Sequence, residues 1–179
     1  MHINPMKPDG RTANLLGAFA LAVTDRMTAG FAAADDAGPS RAAALLTLAS
    51  FPGPSIEGLR RSLGLTHSAT VRLVDGLAAN GHVERQPAAD GRAVSLKLSP
   101  AGKRAAAGLA RARRHPLAAA LESLRAPERR ALEALLERLL AALTDGRERA
   151  DRICRLCEID CCPQARCPVE RRARAIEAR

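Results

Sequence analysis

The chain has 179 residues, 47% of them hydrophobic but only 2% aromatic, with three Phe and no Tyr or Trp. That length suits one compact domain with appended elements, and a core limited to Ala, Leu, Val and Ile favours helix packing over an aromatic-rich sheet. A formal net charge of +9 favours polyanionic partners; with no aromatic platform for stacking bases, RNA is disfavoured relative to DNA.

Residues 1–10 are polar and interrupted by Pro5 and Pro8, so they read as a flexible N-terminus rather than a secretory signal. No stretch approaches the roughly 20 uninterrupted apolar residues of a spanning helix. The expected location is therefore the cytoplasm, with no membrane partner. From Arg11 to about Ala34, residues Leu15, Leu16, Phe19, Val23 and Met27 recur at helical spacing. A second helix spans Arg41 to Ser50 and is nearly all apolar, hence buried. After the Phe51-Pro52-Gly53-Pro54 break, Ser55 caps a helix that runs through Leu63, and Gly64 ends it in a left-handed turn. Thr66 caps a further helix to about Asn80, with Val71, Leu73, Val74 and Leu77 on its inner side.

The period then changes to two. His82 to Gln86 and Ala93 to Leu98 alternate like half-buried strands about an Asp90-Gly91 hairpin tip. Ser99-Pro100 opens a long helix to about Arg114, with continuation past Pro116 to Leu124 left open. Ala126-Pro127 opens another, rich in Leu from Leu132 to Leu143, with a kink expected at Asp145-Gly146. Val169 to Arg179 reads as a short charged helix. The fold class is mainly α: a winged helix-turn-helix with a two- to three-stranded antiparallel wing and terminal dimerisation helices. Its parts are 1–10, a winged DNA-binding and dimerisation domain over 11–149, and a Cys-rich tail over 150–179.

Two short helices joined at Gly64-Leu65-Thr66 and followed by a hairpin can present the second helix to the major groove. Such a helix needs small polar residues in its first turns so that side chains reach base edges. Thr66, His67, Ser68, Thr70 and Arg72 occupy that stretch. Arg85 on the first strand and Arg92 beyond the tip extend the basic face. Arg92 is placed to enter the minor groove, oriented by Asp90. The plainer readings are a surface role for His67, capping for Ser68 and Thr70, and a turn role for Asp90.

The pieces "TVRLVDGL", "GHVERQP", "DGR" and "LKLSPAG", in that order, resemble the centre of a MarR-family repressor. The resemblance implies a homodimer with interlocked terminal helices, a pseudo-palindromic operator in double-stranded DNA, and a small-molecule effector pocket between wing and dimer helices. The family tends to carry a second Arg after the wing Arg. Here Ala93 follows Arg92, which predicts a weaker wing grip.

All five Cys fall between Cys154 and Cys167. Cys154, Cys157, Cys162 and Cys167 form a CxxC followed by two four-residue gaps, and Cys161 is the spare. Four thiolates in so short a loop can surround one centre. Zinc and an iron–sulfur cluster both remain open, as do free thiols and a reversible disulfide. The closing Cys167-Pro168 resembles a ferredoxin-type loop without matching its gaps. No Gly-rich phosphate loop, nucleophile–base pair or carboxylate cluster points to an enzyme. The alternative function is a winged protein-interaction or adaptor module with a structural zinc tail.

Overall fold

The computed structural model describes residues 10–51, 53–87 and 94–179. The elements run α1 (Gly10–Asp35), α2 (Pro39–Ser50), α3 (Ile56–Leu63), α4 (His67–Ala79), β1 (Val83–Pro87), β2 (Val94–Leu98), α5 (Pro100–Glu122), α6 (Ala126–Ala142), α7 (Arg147–Cys154) and α8 (Pro168–Glu177). Each predicted element is present, with ends shifted by a few residues. The continuation of α5 through Pro116 is real.

Local chemistry explains the boundaries. Ser55 Oγ accepts from the Gly58 amide at 3.1 Å, and Gly64 closes α3 at φ 66°. Thr66 Oγ1 accepts from the Ala69 amide at 3.3 Å and so caps α4. These bonds satisfy amides that a helix start leaves without partners. Ser99 is used twice. Its hydroxyl accepts from the Gly102 amide at 3.0 Å and donates to the Gly81 carbonyl at 2.6 Å. Gly102 is required by space as well, because a Cβ there would sit 2.0 Å from the His82 carbonyl oxygen.

Leu45, Leu59, Val74, Leu77, Leu96 and Leu109 are the centre of one core shared by α2, α3, α4, β2 and α5. β1 and β2 pair antiparallel, with Val83 opposite Leu98 and Arg85 opposite Leu96. A third strand is reduced to a single bridge between Ser55 and Ser95, beside the Gly53 amide donating to the Leu96 carbonyl and the Leu96 amide donating to the Pro54 carbonyl, so the wing has two strands among the described residues. Pro54 leaves no amide to extend the pairing.

The terminal helices behave differently. The first half of α1 is exposed, with Leu15, Leu16, Phe19 and Leu21 in solvent; the second half crosses α5 where Gly30 meets Ala112. By length and composition α1 is also long and apolar enough to cross a membrane, although Asp25 and Arg26 lie within it. No residue of α6 is buried. The expected kink at Asp145-Gly146 is a full break: Thr144 Oγ1 donates back to the Leu140 carbonyl at 2.8 Å, and α7 starts anew at Arg147. The boundary drawn at 149/150 falls inside α7. That helix packs on α3 and α8, and its Ala150 is buried with Cys167, Val169 and Ala173 in a second small core.

Candidate nucleic-acid interface and cysteine cavity

The front of α4 projects from the core. Thr66, His67, Ser68 and Arg72 are exposed, and Arg72 forms no ion pair among the described residues. Thr70 departs from expectation. Its side chain is fully buried, and its hydroxyl donates to the Thr66 carbonyl at 2.9 Å. It belongs to the Val74–Leu77 face, one turn earlier, and does not reach a groove. Helical spacing contained that signal, since Thr70 precedes buried Val74 by four residues.

Arg85 lies on the same face of β1 as Val83, exposed where that face leaves the core, and its guanidinium donates to Asp75 on α4 at 2.5 Å. This ion pair ties β1 to α4, and Asp75 escaped the sequence reading because the pairing spans ten residues and two elements. Its exposure limits its energetic weight, and it fixes geometry more than stability. A second link comes from Arg41, whose guanidinium donates to His82 Nδ1 at 2.9 Å and pairs with Asp35 at 3.4 Å. Asp90 and Arg92 lie outside the described residues.

A MarR family model matches residues 37–93, from just before α2 to just before β2. A crystal structure described as a probable transcriptional regulator from Pseudomonas aeruginosa is 30% identical, covering 69% of this chain and 96% of that one with a TM-score of 0.53. The chain belongs to the MarR family. A MarR family protein from Bacillus stearothermophilus is 26% identical over 72% of this chain and 90% of its own, with a TM-score of 0.65. Wild-type MarR from E. coli in its apo form is 23% identical over 75% and 98%, TM-score 0.60, and shares the fold. No curated protein sequence matches. Membership makes this MarR-family chain a winged-helix DNA-binding transcriptional regulator. The solved structures are matched over nearly their whole lengths, so a sizeable part of this chain has no counterpart in each.

The cysteine segment is folded against this MarR core. Thr47 Oγ1 donates to the Arg155 carbonyl and Ser50 Oγ to the Cys157 carbonyl, both at 3.1 Å, so α2 holds the loop after α7. Glu158 faces Arg114 at 3.4 Å and Arg113 at 3.6 Å on α5. Arg147 joins α7 to α8 through Glu170 at 2.6 Å and Glu177 at 2.9 Å, and these bonds hold both carboxyls below their ordinary range.

Cys154, Cys157, Cys162 and Cys167 all line one cavity of about 280 Å³, whereas Cys161 is exposed outside it. The four chosen from sequence spacing are thus the four brought together. Their thiols interact. A hydrogen bond from Cys154 lowers the Cys157 pKa and raises that of Cys154, and burial followed by the neighbouring Cys167 raises that of Cys162. Among the described residues, no three His, Cys, Asp or Glu side chains converge closely enough to hold a single metal ion as they stand.

Proposed function

We propose that this protein is a sequence-specific repressor that acts as a homodimer on a pseudo-palindromic operator and responds to metal or redox state through its cysteine segment. The observation that carries the reading is the exposed front of α4, where Thr66, His67, Ser68 and Arg72 project beside the two-stranded wing. Small polar side chains there permit close approach to base edges, and the helix start favours a phosphate. The protein is a cytoplasmic regulator and catalyses no reaction. Two-fold pairing is supported by Leu15, Leu16 and Phe19 on α1 and Leu135, Leu136 and Leu139 on α6, all exposed in the single chain. A matching second copy would remove that area from water. A small-molecule effector is supported by a cavity of about 520 Å³ among α2, β2, α5 and the cysteine segment, lined by Leu46, Leu48, Lys97 and Leu98.

Binding is tested by fluorescence anisotropy on duplexes from the protein's own promoter, across a salt series. Tight, sequence-dependent binding is expected. Arg72→Ala should cost about 1–3 kcal/mol if it reads a base, or lower the salt slope by about one if it neutralises a phosphate. Equal affinity for promoter and scrambled duplexes, or no binding at all, would refute the reading.

A further inference from the structure

We propose that the four-cysteine cavity is the site of an iron–sulfur cluster, ligated by Cys154, Cys157, Cys162 and Cys167, that sets the posture of the helix-turn-helix. This deepens the metal- or redox-responsive reading above and rests on it. Three observations carry the assignment. First, Cys154 at the end of α7, Cys157 and Cys162 in the following loop and Cys167 at the start of α8 reach the cavity from different sides, while Cys161 does not line it. Second, the cavity has room for more than one ion. A cluster spreads its thiolates over several irons and fills space, and about 280 Å³ is available, far above the roughly 10–15 Å³ that one water needs. Third, the walls combine apolar cover with a surplus of cations. Phe51 and Val169 supply the cover and Arg61, Arg147 and Arg155 the positive charge, against two carboxylates, Asp151 and Glu170, of which Arg147 and Arg174 hold Glu170. Assembly takes mixed ferrous and ferric iron and sulfide from solution, so the supplied iron sets the oxidation level of the cluster, and each thiol gives up its proton on binding iron.

The route to the DNA face is short. α7 packs on α3, the first helix of the helix-turn-helix, and the Arg152 side chain lies over Gly64 in its turn, where an added Cβ would meet Nε at 2.9 Å. The loop that carries Cys157 hangs on Ser50 of α2. Gathering the four sulfurs about a cluster therefore pulls on α2 and α3 together.

The test is anaerobic reconstitution of the full chain with ferrous and ferric iron and sulfide, followed by iron and acid-labile sulfide analysis, visible absorbance and promoter binding. The expected product is a brown protein with equal iron and sulfide. Loading should be lost in Cys154→Ser and Cys162→Ser and kept in Cys161→Ser, with circular dichroism confirming that each variant is folded. Loaded and apo protein should differ about tenfold or more in DNA affinity. A colourless wild-type protein that takes up one zinc ion instead, or one that loads no iron, overturns the cluster independently of any variant. Loss of loading in Cys161→Ser but not in Cys162→Ser overturns the ligand set, and equal affinity of the two forms overturns the coupling. Cluster loading without DNA binding in either form would sink the repressor reading while leaving the site intact. DNA binding without loading would do the reverse.

Discussion

The winged core and the helical arms solve the burial problem in opposite ways. In the core, Leu45, Leu59, Leu77, Leu96 and Leu109 are all but sealed from solvent within one chain. On α6, Leu135 is 53% exposed, Leu143 at its C-terminal cap is 65% exposed, and the first half of α1 is equally bare. Core side chains satisfy one another, whereas these arm side chains find no cover within the single chain. The contrast teaches that folding and assembly are separable here: substitutions in the core should unfold the protomer, and substitutions on the arms should separate protomers that remain folded.

The strongest challenge to that division is Leu59→Ala. Leu59 is fully buried where α3 meets the core, so a loss of about 4 kcal/mol is expected by urea denaturation. A cost below about 1 kcal/mol would mean the core is looser than described. Gly102→Ala comes next. The new Cβ meets backbone rather than a movable side chain, and about 3 kcal/mol is expected, checked by the same denaturation series. Leu139→Lys addresses the arms. It should weaken the dimer by about 2 kcal/mol, roughly a thirtyfold rise in dissociation constant by analytical ultracentrifugation. The protomer's circular dichroism should be unchanged, and a protein that unfolds instead would erase the distinction between arms and core.

The smallest effect lies in the tail clamp. Arg147 holds the Glu170 and Glu177 carboxyls below the ordinary value of 4.5. A group with a depressed folded pKa contributes stability above its unfolded pKa, and that contribution is lost as pH falls through the folded value. Thermal melts from neutral pH down to about pH 3 should therefore drop more steeply for the wild type than for Glu170→Gln. Parallel curves would show that the clamp contributes nothing.

Much of the fold was legible because it is written in local chemistry. Ser55, Gly64, Thr66 and Ser99 cap or close elements through bonds to residues three or four away, and the switch from helical to alternating spacing marks β1 and β2. Thr70 was misassigned to the DNA face because its polarity outweighed its register with Val74. The Arg85–Asp75 pair and the packing of Arg152 over Gly64 depend on how separate elements meet, and no local pattern encodes that. The four cysteines that line one cavity are the four that their spacing picks out. Its docking on α2 and α3 was not, because Ser50 and Thr47 donate to carbonyls more than a hundred residues away.

The weld at the head of α5 has a mechanical consequence. Ser99 and Gly102 lock the first turn of that helix to residues 81 and 82, at the foot of β1, while its other end leads directly into α6. The 23 residues of α5 form a rod of roughly 34 Å. A rod rigidly attached at the wing cannot take up slack. In the proposed homodimer, a tilt of about ten degrees at the protomer junction would displace the wing end by about 6 Å, close to two base-pair steps along B-form DNA. Small changes in how two copies lean together would thereby be amplified into a choice of operator spacing.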